Sequence, residues 1–335
     1  MARTFLMRTS VCVLLLAAYG ACASAADDRD IDFMFMFWNL ENFFDWKDGG
    51  ASESDSEFSS SGERHWTKGR FYTKCRTVAK AMMWAGSRYG RMPDVAGFAE
   101  VENSFVVSSV IYSTALDRYG YGKVHYDSPD PRGIDVALIY RKDMFGYCSS
   151  SVHRVHDRNG DMLRTRDILL VVLKSGWGEE FCFIVNHHPS KYGGEKESLP
   201  RRIAAMSCLR NIADSLLAEG HRNIIAMGDF NDTPDAEAFG ILEGALCDRT
   251  GELSKEGKGT IRYKGKWELI DMVFVSEGLE DRVRTDICPV PFLMADDSSA
   301  PGKKPLRTYS GPRYNGGVSD HLPVIGIVES DKTSK

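Results

Sequence analysis

Polar residues able to do chemistry cluster where apolar runs of the chain end. Asn39 with Glu41, Glu100 with Glu102, Asn186 to His188, Asp229 with Asn231, and Ser319 to His321 all stand in such places, and Asp271 is flanked by Ile270 and Met272. Glutamate, aspartate and asparagine are oxygen ligands that suit a hard cation such as Mg²⁺ or Ca²⁺. A histidine can donate to a phosphoryl oxygen as negative charge develops there, a carboxylate can activate water, and an amide can hold the equatorial oxygens. Together these groups describe metal-assisted attack of water on a phosphate ester.

The elements that must position them are strands. Side chains two apart on a strand share a face, so Asn39 pairs with Glu41 and Asp229 with Asn231. His187 and His188 point opposite ways, so only one of them enters a site. An acid flanked by apolar residues needs a donor, and a histidine would suit Asp271. Each cluster also has a plainer reading: Asp, Asn and Pro in "GDFNDTPD" are common turn residues, and Glu41 and Glu102 can be solvated strand-end charges.

"IDFMFMFWNLEN" reads as a strand buried on both faces, and "DVAGFAEVEN" as a second. "GKVHYDS", "GIDVALIYR", "ILLVVLKSG", "FCFIVNHH", "NIIAMGDF", "WELIDMVFVS" and "LPVIGIVES" read as further strands. Helical spacing covers "RFYTKCRTVAKAMMWAG", residues 103–118, and a segment from Ser198 and Pro200 to Gly220 with Ile203, Met206, Leu209, Ile212 and Leu216 in one stripe. A short helix starts at Asp235. The Ser-, Gly- and acid-rich stretch "KDGGASESDSEFSSSGER" reads as a mobile loop, and substrate choice rests on loops such as 46–68 and 290–316. Some helices separate strands and some strands follow one another directly, which favours two packed sheets with outer helices over a doubly wound parallel sheet.

The chain has 335 residues, 42 basic and 47 acidic. Arg3 and Arg8, the run "VCVLLLAAYG" and the small residues "ACASAA" make residues 1–25 a signal peptide, cleaved after Ala25; lipidation at Cys22 is the rival. Residues 26–335 then form one domain. Cleavage leaves 40 basic against 47 acidic residues, a net charge of −7 with no general attraction for nucleic acid. No later run is long and apolar enough to span a bilayer, so the expectation is an exported monomer. The six remaining cysteines are scattered without a CxxC pair, which argues against a zinc cage and leaves any pairing open.

"FWNLENFFD", "DVAGFAEVEN", "RGIDVALIYR", "VNHHPSKYGG", "MGDFNDTPD", "LIDMVFV" and "GVSDHLPV" resemble, in order, the successive motifs of the endonuclease/exonuclease/phosphatase superfamily, from about Phe33 to Ile327. The resemblance implies a DNase I-like four-layer α/β sandwich with its site at one edge of two mixed sheets. By motif, Glu100 resembles the principal metal-binding glutamate, Glu41 a second acidic ligand and Asp320 an acid close to the metal, with Mg²⁺, or Mn²⁺ or Ca²⁺, as the cofactor. Asn39 matches an asparagine near metal and phosphate. Asp229 matches the residue that handles the attacking water, and Asn231 its amide partner. His321 resembles the histidine on the scissile phosphate, Asp271 the carboxylate orienting it, and His187 the second histidine of the DNase I-like branch. Arg132 borders the site. The implied activity is an exported metal-dependent phosphodiesterase, in the first place an endonuclease on DNA or RNA. Alternatives are a phosphatase or phospholipase C/sphingomyelinase-like hydrolase on a lipid or sugar phosphate, and an inactive relative that only binds a phosphorylated ligand. Lys303, Lys304, Arg307 and Arg313 with Tyr309 and Tyr314 form a loop that would grip nucleic acid, or lie solvated.

Overall fold

A computed structural model describes residues 31–330 except positions 51 and 192. The predicted signal peptide and Cys22 lie outside the described residues. The strands are β1 (Ile31–Phe43), β2 (Val95–Val101), β3 (Tyr121–His125), β4 (Asp135–Arg141), β5 (Phe145–His153), β6 (Ile168–Ser175), β7 (Glu180–His187), β8 (Ile224–Asp229) and β9 (Cys247–Asp248). A ribbon of β10 (Ile261–Tyr263) and β11 (Lys266–Glu268) follows, then β12 (Asp271–Val275) and β13 (Val283–Ile287). Ribbons β14 (Met294–Asp296) with β15 (Lys303–Pro305) and β16 (Tyr309–Ser310) with β17 (Arg313–Tyr314) lead to β18 (Val324–Glu329). One six-stranded sheet has the order β13-β18-β1-β2-β4-β3 and the other β5-β6-β7-β8-β12-β9. Both are mixed: β1 runs parallel to β2 and β7 to β8, and the other neighbours are antiparallel.

Alternation along β1 explains the layers. Phe33, Phe35 and Phe37 point between the sheets, where they meet Phe181, Phe183 and Met227 of the second sheet. Met34, Met36 and Trp38 point outward, under helices α2 (Lys68–Tyr89) and α3 (Ser104–Tyr112). The helix α4 (Glu195–Ala218) covers the outer face of the second sheet through Met206, Leu209, Ile212 and Leu216. Helix, sheet, sheet, helix is the expected four-layer sandwich. Gly326 of β18 is required by this packing, because the Phe35 ring lies where a Cβ would stand.

Several local expectations change. Ile203 is exposed, and the buried stripe of α4 instead carries Ser198, Arg202 and Ala205. α4 begins at Glu195, placing Pro200 inside it. Helix α3 stops at Tyr112, and a separate 3₁₀ turn covers Ala115–Tyr119; likewise a 3₁₀ turn, Glu237–Leu242, replaces the helix expected from Asp235. Within the 46–68 loop lies the short helix α1 (Glu53–Glu57), and Trp66 is buried there with its indole N–H on Phe44 O at 2.8 Å. Asp271 opens β12 rather than lying within it. Among the described residues the six cysteines are free thiols, with Cys148 alone exposed. Among the described residues no helix is long and apolar enough to cross a membrane.

Candidate active site

The apolar layer between the sheets ends in a row of polar side chains. Parallel pairing sets His187 beside Asp229, and antiparallel pairing sets Asp229 beside Asp271. Each is two residues beyond a side chain of the inter-sheet core: Val185, Met227 and Val273. All three therefore face the first sheet, where Asn39 follows Phe37 on the same face of β1. Asn39 Nδ2 donates to Asp229 Oδ2 at 3.0 Å, joining the sheets.

Simple alternation fails for the next polar residues, and the backbone shows why. Glu41, Asn42 and Glu100 have φ of 45°, 46° and 59°, and Asn231 has 51°. Left-handed backbone at four non-glycine residues is stored strain of the kind that gathers at functional sites. On β2, Phe98 faces the helices, so Glu100 should too; the bulge between Ala99 and Val101 turns it to the cleft. There Glu100 Oε2 accepts from Asn42 N at 2.7 Å. Its Oε1 lies 3.8 Å from His187 Nε2 and 3.9 Å from Arg132.

His321 is fixed from three sides. Nδ1 is 2.7 Å from Asp271 Oδ2, its backbone N–H donates to Ser319 Oγ at 2.9 Å, and Trp38 Nε1 donates to its carbonyl at 2.9 Å. Nε2 faces Asp229 Oδ2 and Asp320 Oδ1, both at 3.9 Å. Burial alone would depress this histidine. Asp271, Asp229 and Asp320 outweigh it and hold the imidazole well above its usual pKa, which favours its charged form. His187 is the opposite case: burial, then Arg166 and Arg132, push it well below the usual range and keep it neutral. Its Nδ1 is buried without a hydrogen-bond partner among the described residues and its Nε2 faces two carboxylates, which places the proton on Nε2. His188 turns into the core beside Phe230, so only one of the two histidines enters the site. Burial and the neighbouring Asp271 push Asp229 up to about 7, against the pull of His321.

All ten residues singled out from the sequence fall in this network. Asn231 is in it partly as a turn: its N–H donates to Asp229 Oδ1 at 2.9 Å and its amide to His188 O at 2.9 Å. Glu41 already has both oxygens engaged, by Arg307 Nε at 2.7 Å and Thr308 N at 3.0 Å. Arg307 also reaches Asp320 Oδ2 at 3.2 Å. Burial first, then Asp320, pushes Glu41 up to about 7, and burial lowers Lys74, whose Nζ donates to Glu41 O at 2.7 Å, to about 8.

A hard cation fits the acidic side. Glu100 Oε1 accepts no hydrogen bond among the described residues, Asp320 is a third exposed, and the donors are oxygens without a thiolate. Asp229, Asp271 and His321 also come within 4.8 Å of one another. His321 Nδ1, however, is committed to Asp271, so that trio serves proton placement.

Several supports escaped the sequence reading. Arg166 is buried and donates to Asp130 Oδ2 at 2.9 Å, to His187 O at 3.1 Å and to His188 O. Arg202 holds Asp232 at 3.0 Å, and Lys191 meets the same carboxylate at 2.9 Å. Arg202 had a legible signal, a charge on the apolar stripe of a helix. Arg307 was legible only as one of a run of basic residues, with no sign of its tie to Glu41, and Lys74 had no signal. Glu102, expected to be solvated, accepts from Asp45 N at 2.6 Å and is pushed by burial to about 8.

The sequence profile of the endonuclease/exonuclease/phosphatase family matches residues 34–330. No curated protein sequence matches the chain. Among solved structures, the human nocturnin catalytic domain with bound sulfate superposes with a TM-score of 0.55 at 16% identity, over 90% of this chain and 96% of that one. Caenorhabditis elegans TDP2 gives 0.56 at 15%, over 89% and 97%. A mannosyl-6-phosphatase of Bacteroides thetaiotaomicron gives 0.55 at 16%, over 89% and 100%. These identities speak for the fold, and the profile for descent: the chain belongs to the endonuclease/exonuclease/phosphatase family, whose members hydrolyse phosphate esters.

Proposed function

We propose that the chain is an exported phosphoesterase that uses a divalent cation, Mg²⁺ first, to drive attack of water on a compact phosphate ester such as a sugar phosphate. The observation that carries the chemistry is the pair of histidines around Asp229, with Nε2 of His187 and of His321 at 3.7 and 3.9 Å from its Oδ2. His321 donates from Nε2 to a phosphoryl oxygen, with Asp271 holding its other proton at Nδ1. His187 offers a neutral N–H. Asp229 takes a proton from the attacking water; its two oxygens are fixed by Asn39 and Asn231, which leaves one direction open between the histidines. A cation held by Glu100 and Asp320 would neutralise charge on the phosphoryl oxygens. Export rests on the amino-terminal sequence alone.

The preference for a compact substrate over the endonuclease expectation rests on where the basic loop goes. Lys303 and Lys304 pair with Asp296 and Asp297 at 3.7 and 3.3 Å. Positive charge spent in this way adds little to a polynucleotide track. Arg132, two-fifths exposed beside Glu100, favours the nucleic-acid reading, since it can meet a neighbouring phosphate. The deciding experiment assays the purified mature protein with Mg²⁺, Mn²⁺ or Ca²⁺ on hexose phosphates, single- and double-stranded DNA, RNA and sphingomyelin. Turnover of hexose phosphates with none of DNA or RNA supports the reading; faster cleavage of DNA or RNA restores the nuclease.

A further inference from the structure

A cavity of about 120 Å³ opens beside the acidic side of the site. Glu41, Asn42, Phe58, Arg64, Arg307, Thr308, Tyr309 and Gly311 line it. Glu41 and Asn42 are the residues whose left-handed backbone presents Asn42 N to Glu100, so the cavity adjoins the reacting centre directly. That volume is small beside the clefts that hold drug-sized ligands. It is enough for one tetrahedral anion.

The walls suit an anion. Arg64 lies over the Phe58 and Tyr309 rings at 5.5 and 5.6 Å and uses Nε on Glu57 at 2.6 Å and Nη1 on Gly311 O. Arg307 uses Nε on Glu41 and Nη2 on Asp320. Each guanidinium thus keeps one terminal nitrogen without a protein partner among the described residues, and so does the Asn42 side-chain amide. The three carboxylates that could repel an anion, Glu41, Glu57 and Asp320, are each bonded to one of these arginines. Planar guanidinium donors on a rigid aromatic floor match a phosphate in geometry as well as charge.

We infer that this cavity is a subsite for a second, non-scissile phosphate of the substrate, gripped by Arg64 and Arg307. The inference rests on the phosphoesterase reading and narrows its substrate class to esters carrying two phosphates. Such a pair can come from a sugar bisphosphate or from neighbouring phosphates of a nucleotide chain.

Steady-state kinetics with the mature, metal-loaded protein tests this. The substrates are fructose 1,6-bisphosphate against fructose 6-phosphate, and the dinucleotide pTpT against TpT. The wild type is expected to favour the doubly phosphorylated member of at least one pair by tenfold or more in kcat/KM, mainly through KM. Preference within the first pair alone assigns a sugar bisphosphate, and within the second alone a nucleotide chain; both support the subsite. Arg64→Gln is expected to erase the preference while turnover of the singly phosphorylated member stays within about twofold, and Arg64→Lys to keep part of it. Equal kcat/KM within both pairs in the wild type overturns the subsite without needing any variant to fold. An equal loss on both members in a folded Arg64→Gln overturns it too. Absence of turnover on every phosphate ester overturns the phosphoesterase reading itself, and the subsite with it.

Discussion

Asp229 and Glu41 are both buried carboxylates at the same end of the sandwich, and burial pushes both to about 7. They are held in opposite ways. Asp229 accepts from two neutral donors, the Asn39 amide and the Asn231 N–H, and its charged neighbour His321 stands 3.9 Å away. Glu41 is bonded directly to the Arg307 guanidinium, with the Lys74 ammonium on its own carbonyl. Neutral donors fix direction while leaving the charge available to a proton. Cationic partners consume it. The molecule thus separates a side that moves protons from a side that manages positive charge, using one residue type for both.

The proton side should show the largest effects when broken. Asp229→Asn keeps the Asn39 contact but removes the base, and His321→Ala removes the charged donor. Each is expected to lower kcat by about 10²–10⁴ while circular dichroism and the melting transition show a folded protein. Rates for both variants within threefold of wild type would break the assignment of Asp229 and His321 to the chemistry.

Asp271→Asn sharpens the same side by a smaller, signed effect. Asp271 raises both the His321 pKa and the Asp229 pKa. Asp229 must be ionised to accept a proton and His321 charged to donate one, so kcat/KM rises through the first pKa and falls through the second. Neutralising Asp271 lowers both, and the whole bell moves to lower pH with a reduced maximum. A pH profile in which the alkaline limb stays in place would separate Asp271 from His321.

How much of this was legible beforehand follows the same division. β1, β7, β8 and β12 were readable because a strand buried on both faces is a continuous apolar run, and the polar row at their ends was readable because such a run should not end in acids without cause. β5 was not readable: only its first residue is buried and it carries Ser149, Ser150 and Ser151, so no alternation survives. The two-apart rule paired Asn39 with Glu41 and Asp229 with Asn231, and the positive φ at Glu41 and Asn231 breaks the alternation it relies on. It gave no account of Glu100, whose direction depends on a bulge and a positive φ. The managers of charge, Arg307 and Lys74, reach Glu41 across sequence separations of 266 and 33 residues, which no local pattern records.

The cation side predicts a graded series in metal affinity. Glu100→Gln removes the carboxylate with an uncommitted oxygen and is expected to weaken Mn²⁺ binding by tenfold or more, read by electron paramagnetic resonance of free Mn²⁺. Glu41→Gln removes one whose oxygens are already engaged and should weaken it only a few-fold. The reverse order would identify Glu41 as the principal ligand.

The smallest effect, and the one that tests the comparison itself, belongs to Arg307→Gln. If Arg307 competes with the cation for Glu41 and Asp320, its loss leaves two carboxylates seeking a positive charge. Mn²⁺ affinity should then rise a few-fold, because removing a like charge from beside the cation outweighs the loss of one half-exposed ion pair. The metal-free protein should melt earlier, since buried Glu41 keeps only Thr308 N and loses its cation, and added Mn²⁺ should restore more of the loss than it adds to the wild type. The same titration read by melting temperature and by resonance separates the outcomes. A fall in affinity together with the earlier melt would make Arg307 a support for the ligand geometry, and the division between proton-moving and charge-managing sides would then not rest on competition between guanidinium and metal.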